Sequence, residues 1–411
     1  MSNLSEWKKE SKKDINNKVI LFVISPFLSF LYSLKTINTK SSFAFIFLFY
    51  ICFGMAFSVS NIREHGDGSI DGGSYRYKFE EYCRTSATYY YSELEDYLSF
   101  DGNNKDFYFD TVAFYLSRVT DNYHVMFFIF SIVFAFFQLK CLKYLVLNRD
   151  FQISTLCMLL VLLFTWNQIF NINGMRFWTA AWIGVYCIFK IFYENKNRYF
   201  LLAILTTFFH GSFWIFFAMM IVAKLFSRFE KAWIILFIIS VITSNILLEI
   251  IHGFSGYLPS FLQNSFETYT DSSYIKGLSQ GSGFYWVDQI FKIISRLYIN
   301  ILVVMFIFSK NKKWLDVNEY KLYSFLLVWM TFCNFGLAIP TLGGRFLQLS
   351  YPIIAFLWLS FFKRMQYNRF IYFLPIAFFM LIYHQLGHYA LVTDFFFYVS
   401  SPFILIPQYL F

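Results

Sequence analysis

The chain has 411 residues, of which 58% are hydrophobic, 24% aromatic and only 14% charged. About a quarter of the residues in ordinary soluble proteins are charged, so this composition excludes a soluble globular protein and indicates a membrane protein. The formal net charge of +9 comes from short lysine and arginine clusters between apolar runs, which mark cytoplasmic loops and argue against a nucleic-acid partner.

Apolar runs of about 20 residues, the length that crosses a bilayer as a helix, recur along the whole sequence. We therefore interpret residues 1–411 as a single membrane-embedded domain. Runs such as residues 234–242 do not alternate apolar and polar residues, so helices are predicted rather than barrel strands. The predicted fold is all-α, a polytopic integral membrane protein with about nine to ten transmembrane helices and one broken re-entrant hairpin.

The N-terminal segment, residues 1–40, is predicted to be cytoplasmic or interfacial, with an interfacial helix over residues 19–36. Lys35 and Lys40 precede the first full span, residues 42–60, and favour a cytoplasmic start for that span. The polar segment that follows the span is then external.

That segment, residues 61–122, is predicted to be a large external loop in which acidic residues predominate. Tyrosines such as Tyr75 and Tyr77 are interleaved with the acids, a mixture that suits contact with sugar rings and hydroxyls. For most of these tyrosines, an aromatic belt at the membrane interface is the more ordinary explanation.

The next spans are predicted over residues 123–140, 151–169 and 177–193. Basic clusters follow the first and third of these spans, as expected for cytoplasmic ends. The polar turn at residues 173–176 is therefore external, and it carries Arg176.

Residues 199–226 are too long for one comfortable span, and basic residues flank both ends. Both ends are predicted to face the cytoplasm, as two short helical arms that meet at His210, Gly211 and Ser212. Non-helical backbone at membrane depth is tolerated where it is buried in protein or lines a wet cavity, so the break itself suggests a site.

The remaining polar and apolar segments continue the same alternation, with Arg345 on the outer side. The predicted elements are a span over residues 232–250, a second external loop over residues 251–285, and spans over residues 286–308, 319–337, 346–362 and 370–384.

Arg176, His210 and Arg345 are thereby predicted to lie at or just beneath the outer membrane face. Ionisable residues at membrane depth are costly and are therefore functional candidates, and a planar guanidinium suits a diphosphate. Each of these residues also has a more ordinary explanation. Either arginine could reach interfacial water or pair with a loop acid, and His210 could be satisfied by Ser212 or a backbone carbonyl.

His384 and His388 are four residues apart, which fits metal binding on one helix face, but no third ligand is apparent. The sequence contains no phosphate-binding nucleotide loop and no nucleophile elbow, so ATP-driven transport and serine hydrolysis lack support. No metal and no cofactor is predicted.

Several short motifs occur in a fixed order. They are Arg63-Glu64, Asp71-Gly-Gly-Ser-Tyr75-Arg-Tyr77, Asn173-Gly-Met-Arg176, Phe209-His210-Gly-Ser212, and Gly344-Arg345 with Tyr351-Pro352. In this order, over about residues 42–385, the chain resembles the EpsG-like members of the Wzy class of bacterial polysaccharide polymerases. Members of that family usually have Gln after the arginine and often Ala after the serine, where this chain has Phe177 and Phe213.

The resemblance implies a glycosyltransferase with a GT-C-like architecture in the bacterial cytoplasmic membrane. It would join polyprenyl-diphosphate-linked oligosaccharide repeat units on the outer face, without a nucleotide sugar. On this interpretation Arg176 and Arg345 hold the diphosphate and His210 takes the proton from the incoming sugar hydroxyl, with Asp71 as the reserve candidate for that base. The residues predicted to bind substrate are Arg63, Asp71, Tyr75, Tyr77, Asn173, Ser212 and Tyr351.

The expected partners are the lipid-linked oligosaccharide and membrane lipid, with a chain-length regulator and a flippase as further candidates. Two other functions would use similar residues: a flippase for the same lipid-linked glycan, and a ligase that transfers finished polymer to another acceptor. A membrane acyltransferase is disfavoured because its early arginine-histidine signatures are not evident.

Overall fold

The computed structural model of the protein describes residues 5–60, 71–99, 106–243, 285–337, 339–362 and 368–410. Arg63 and all but the last residue of the predicted external loop 251–285 lie outside these ranges. Within them the regular elements are helices, as the sequence predicts.

In chain order the α-helices are α1 (Lys12–Ile24), α2 (Pro26–Leu34), α3 (Lys40–Ala56), α4 (Asp71–Tyr82), α5 (Ala87–Ser99), α6 (Tyr108–Leu116), α7 (Tyr123–Val146), α8 (Thr155–Phe164), α9 (Met175–Ile188), α10 (Phe200–Phe209), α11 (Phe213–Phe226), α12 (Glu230–Ile242), α13 (Tyr285–Phe308), α14 (Val317–Gly336), α15 (Pro340–Leu347), α16 (Ser350–Phe361), α17 (Arg369–Tyr372), α18 (Leu374–Ala377), α19 (Phe379–Val392), α20 (Phe395–Val399) and α21 (Pro402–Leu410). A 3-10 helix, Ile169–Gly174, leads into α9. The described residues of the segment predicted as a large external loop therefore include the helices α4 to α6.

The two N-terminal helices form a hairpin instead of the single interfacial helix predicted over residues 19–36. Helix α1 ends before Ser25, whose side chain accepts hydrogen bonds from the first amides of α2. Pro26 then begins α2, because proline fits the first turn of a helix but cannot continue the helix before it. Ser29 on α2 donates to the carbonyl of Lys18 on α1 at 2.9 Å, which ties the two helices together.

Helix α16 lies at the centre of the core, because every residue from Ser350 to Phe361 is buried. A helix that is apolar on all sides is stable when other helices surround it. Its Phe356 packs against Phe189 at the end of α9, and its Trp358 packs against Phe306 of α13, with ring centroids 5.4 and 5.9 Å apart. Large aromatic side chains thus fill the space between the central helices.

The chain turns sharply between α8 and α9. Thr155–Tyr193 is a 39-residue apolar stretch, yet Phe164 stacks on Trp182 with ring centroids 6.3 Å apart. In a straight helix these residues would be about 27 Å apart along the axis. The stretch therefore folds back on itself between Phe164 and Met175, so a reversal is present as predicted, but it begins earlier than the predicted turn at residues 173–176.

The hairpin predicted around His210 is also confirmed. Helix α10 ends at Phe209, and His210 adopts an extended conformation with φ −156° and ψ 126°. The rings of Phe200 on α10 and Phe217 on α11 lie 6.3 Å apart, whereas a straight helix would separate them by about 25 Å. The non-helical residues lie at the tip between two short arms.

Among the described residues, four helices are long and apolar enough to cross a membrane, or five if the bent pair Arg369–Ala377 and Phe379–Val392 is one span. This number is smaller than the roughly nine to ten helices that hydropathy predicts. Part of the difference is that the predicted spans 151–169 and 177–193 are counted here as one stretch, Thr155–Tyr193. The helix at the predicted span 42–60, Lys40–Ala56, has 17 residues and is too short to be counted, and the predicted span 232–250 is described only to residue 243.

Helices α14 and α15 cross where two glycines meet. A Cβ atom on Gly343 would lie 2.3 Å from the carbonyl carbon of Gly336, which is closer than any real contact. Only glycine therefore allows α15 to approach the end of α14 this closely. Arg345 follows two residues later on α15, so this crossing fixes the position of its side chain.

We expect Gly343→Val to disrupt the crossing and lower the free energy of unfolding by about 1–3 kcal/mol, the usual cost of overpacking. Thermal unfolding of the purified protein in detergent measures the effect. Gly387→Val on α19 is the matched control, because a Cβ atom there meets nothing within 4 Å. Equal unfolding temperatures for the two variants would contradict a close crossing.

Candidate active site

A cavity of about 250 Å3 lies where α4, α9, α15 and the hairpin of α10 and α11 meet. Its walls include Arg176, His210 and Arg345, the three residues predicted from the sequence to be catalytic. These residues are far apart in the chain, so the tertiary fold alone brings them to one place. The described lining residues are Asp71, Ser74, Tyr75, Lys78, Gly174, Arg176, Phe177, Trp178, His210 and Arg345.

The guanidinium of Arg176 is held by two partners from the segment predicted to be external. Its Nε donates to the Tyr75 hydroxyl at 3.0 Å, and its Nη1 donates to the two Asp106 carboxylate oxygens at 3.0 and 3.3 Å. Its Nη2 donates no hydrogen bond to the described residues. Arg176 therefore pairs with an acid of this segment, which was the more ordinary explanation. It also lines the cavity, where its Nη2 group can still donate hydrogen bonds.

Asp106 is the partner that the sequence analysis missed. Its side chain is only 3% exposed, and it also accepts a hydrogen bond from the backbone amide of Gly211 at the hairpin tip. Burial raises the pKa of Asp106, whereas Arg176 and the Gly211 amide oppose that rise. The amide of the next residue, Phe107, donates to the carbonyl of Phe208 at 3.0 Å. Residues 106 and 107 are therefore bound to the hairpin both by a backbone hydrogen bond and by the Asp106 carboxylate.

The imidazole of His210 is oriented by its neighbour two residues on. The backbone amide of Ser212 donates to Nδ1 at 3.2 Å, and the Ser212 hydroxyl lies 2.8 Å from the same nitrogen. An amide can only donate, so Nδ1 carries the lone pair, and the neutral ring carries its proton on Nε2. In this tautomer His210 is a hydrogen-bond donor through Nε2.

Arg345 differs from Arg176 because it has no carboxylate partner among the described residues. Its guanidinium lies over the ring of Phe177, 5.6 Å from the centroid, and it forms no ion pair with any residue in the described ranges. The lining also contains the cation Lys78 and the carboxylate Asp71. With Arg176 compensated by Asp106, the cavity keeps two cations against one carboxylate and is suited to an anion.

Helix α4 places Asp71 at the cavity. The side-chain oxygen of Asn173 accepts a hydrogen bond from the Gly72 amide at 2.8 Å, which joins the start of α4 to the turn before α9. A Cβ atom on Gly72 would lie 2.7 Å from that oxygen, so the junction requires glycine. Asn173 is thus an anchor for the site and does not line it.

Ser74 and Lys78 line the cavity but were not singled out in the sequence. Together with Asp71 and Tyr75 they have the spacing i, i+3, i+4 and i+7, which places all four on one face of a helix. That pattern would have identified them had the segment been predicted as helical. Trp178, one helical turn after Gly174, was missed as well.

Three other residues predicted to bind substrate, Tyr77, Ser212 and Tyr351, are not among the described lining residues of the cavity, and Arg63 lies outside the described part of the chain. Tyr77 lies outside the i, i+3, i+4, i+7 set on α4, and Ser212 contacts His210, which does line the cavity. Tyr351 is buried beside the rings of Trp166 and Phe378, at 6.5 and 5.8 Å between centroids. In the described part of the chain, no three His, Cys, Asp or Glu side chains are grouped as metal ligands would be.

The two positions at which the chain departs from the EpsG-like pattern are in contact. The rings of Phe177 and Phe213 lie 5.3 Å apart, and both contact Phe346 of α15. Phe177 also meets the edge of the His210 ring at 5.3 Å. Phe177 therefore lies between the histidine and Arg345 at the cavity, and Phe213 packs against it from outside the described lining.

A comparison with known protein families confirms the resemblance to the EpsG-like family. The model described as the EpsG family matches residues 65–400, a range that contains every described lining residue of the cavity. No curated protein and no solved structure matches the chain significantly.

We expect Asp106→Asn to lower the free energy of unfolding by about 1–3 kcal/mol, because Arg176 loses its charged partner in a largely buried place. Thermal unfolding in detergent measures this. The matched control is Asp110→Asn, because Asp110 accepts from the neutral Tyr82 hydroxyl and an amide oxygen can do the same. Adding Arg176→Met to Asp106→Asn should recover part of the loss. If Asp106→Asn lowers the free energy of unfolding equally in the wild-type and the Arg176→Met backgrounds, the two side chains are not coupled.

Proposed function

The chain belongs to the EpsG family, and on this premise we propose that it is a membrane glycosyltransferase that polymerises lipid-linked oligosaccharides. The substrate would be a repeat unit carried on a polyprenyl diphosphate, and the product a surface polysaccharide. The observation that carries the proposal is the convergence of Arg176, Arg345 and Asp71 on one cavity. We place the cavity on the outer face of a bacterial cytoplasmic membrane, because basic clusters mark the opposite ends of the spans.

The reaction forms one bond and breaks one. The acceptor hydroxyl oxygen attacks the anomeric carbon of the donor sugar, and the bond from that carbon to the diphosphate breaks. The diphosphate leaves with the electron pair, so negative charge grows on its oxygens. Arg345 and the Nη2 group of Arg176 would stabilise that charge, and this electrostatic effect is strong in a site from which bulk water is excluded.

The proton of the acceptor hydroxyl needs a base. Asp71 lines the cavity, and its carboxylate accepts no hydrogen bond from the described residues. His210 would need a lone pair on Nε2 to serve as the base, whereas the Ser212 amide favours the tautomer with a proton there. We therefore propose Asp71 as the base, and His210 as a donor to the leaving diphosphate.

Arg345→Ala should slow chain extension by about 10²–10³-fold, the usual effect of removing one electrostatic donor, while protein abundance stays at the wild-type level. Purified protein in lipid is supplied with a polyprenyl-diphosphate-linked repeat unit, and the ladder of longer products is followed over time. Arg228→Ala is the matched control, because Arg228 also lies over a phenylalanine ring, that of Phe229, away from the cavity. A wild-type ladder from Arg345→Ala would remove Arg345 from the mechanism.

The same assay separates the rival functions. If the wild-type protein forms no ladder but moves the intact lipid across sealed vesicles, it is a carrier. If it transfers a finished polymer once to a different acceptor, it is a ligase. Either result would overturn the polymerase proposal.

Asp71→Asn should reduce the rate of extension by about 10²–10⁴-fold, the usual contribution of a general base, with donor-lipid binding retained. Initial rates and donor affinity are measured on the same preparation. Asp96→Asn is the control, because Asp96 is an exposed carboxylate on the neighbouring helix α5. Normal rates for Asp71→Asn, together with loss of activity in His210→Ala, would assign the base to His210 instead.

A further inference from the structure

A third arginine lies at membrane depth. Arg296 is at the middle of α13, which is one of the helices long and apolar enough to cross a membrane. Its side chain is half-buried, and the guanidinium forms neither a hydrogen bond nor an ion pair with the described residues. A charge in the middle of a span is costly, so Arg296 is a candidate for binding a group of opposite charge.

The surroundings of Arg296 connect it to the active site. Its Nη2 lies 3.8 Å from the place where a Cβ atom on Gly344 would be, directly beside Arg345 in the chain. The Tyr351 hydroxyl is close enough to interact with it electrostatically. Tyr351 is only 4% exposed, and its hydroxyl makes no hydrogen bond within the described ranges. Half-buried Arg296 and buried Tyr351 thus lie close to each other near Gly344, and neither side chain has an acceptor among the described residues.

The nearest other charges on α13 are already paired with each other. Lys292 lies one turn from Arg296 and contacts the carboxylate of Asp288 at 2.6 Å, and Asp288 also contacts His384 at 3.1 Å. These groups therefore offer no carboxylate to Arg296. Gly344 has no side chain to fill the space between Arg296 and the α15 backbone.

We propose that Arg296 and Tyr351 bind the phosphate group that is esterified to the lipid of the donor. This inference rests on the proposed function, and it assigns the two phosphates of the leaving diphosphate to different arginines. The sugar-linked phosphate lies at Arg345, and the lipid-linked phosphate lies beyond Gly344 at Arg296. The phosphate attached to the prenyl chain is the one nearer the hydrocarbon, which fits an arginine in the middle of a span.

The chemistry at Arg296 is binding and involves no change in bonding. A guanidinium can donate two parallel hydrogen bonds to a phosphate, and a phenol can donate a third. A diphosphate held at both ends has a fixed direction, so its sugar-linked oxygen is presented to the cavity. Arg296 and Tyr351 are binding residues that orient the donor.

Two probes separate the two phosphates. Polyprenyl monophosphate has only the lipid-linked phosphate, and polyprenyl diphosphate has both. Equilibrium binding of each probe is measured with the full-length protein in nanodiscs of constant lipid content. Arg296→Met should weaken binding of both probes by roughly tenfold or more, as expected for lost charge-assisted hydrogen bonds. Arg345→Met should weaken binding of the diphosphate only.

Lys292→Met is the matched control, because it removes a cation from the same helix and should leave the affinity for both probes unchanged. Tyr351→Phe keeps the buried ring and should weaken the binding of both probes by a few-fold, so the proposal can be tested even if Arg296→Met folds poorly.

Wild-type affinities in both Arg296→Met and Tyr351→Phe would overturn the inference. If Arg345→Met then still weakens diphosphate binding, the proposed function stands without it. If neither arginine affects either probe, the proposed function fails too. If Arg296→Met weakens the binding of polyprenyl diphosphate but not of polyprenyl monophosphate, Arg296 does not bind the lipid-linked phosphate, and the inference is overturned.

Discussion

The ion pair between Arg176 and Asp106 is the contact on which the site depends. Through Asp106 it joins the stretch before α6 to α9 and to the Gly211 amide at the hairpin tip. Through Arg176 it reaches the Tyr75 hydroxyl on α4. The charge of Arg176 is neutralised by a carboxylate that is only 3% exposed, and this carboxylate also binds the backbone of a broken helix. Charge balance and positioning are therefore achieved by one carboxylate.

The cationic residues of the site divide into two kinds. Arg176 has a carboxylate partner, whereas Arg345 and Arg296 have none among the residues that the structure describes. A compensated arginine can be structural and catalytic together, because its remaining donors are already oriented. An uncompensated arginine weakens the fold and favours an anionic ligand, so its free energy is recovered only when substrate binds. On the proposed function, stability and substrate affinity would thus depend on different side chains of similar chemistry.

The sequence was sufficient to predict the helical class, the turn before Arg176, the hairpin around His210, and the three residues that meet at the cavity. These features follow from local properties, namely hydropathy, positive charge at cytoplasmic ends, and breaks in apolar runs. The identity of Asp106 could not be predicted, because that segment contains many acids and only tertiary contact selects one. The tautomer of His210 depends on the exact fold of the hairpin tip, which brings the Ser212 amide to Nδ1, and the surroundings of Arg296 depend on residues from other helices. The N-terminal hairpin at Ser25 was missed because a single capping serine is a weak signal among apolar residues.

The size of the cavity limits which part of a glycan the protein can distinguish. About 250 Å3 is below the roughly 300–1,000 Å3 of pockets that enclose a drug-sized ligand, so one or two sugar rings fill it. On the proposed function, Phe177, which lines the cavity and has Phe213 packed behind it, can therefore discriminate only the rings on either side of the new bond. Branches and modifications further along the repeat would lie beyond the cavity. Natural variation of the glycan at those distant positions would then need no compensating change here, whereas a change of the joining sugar would require a change at Phe177.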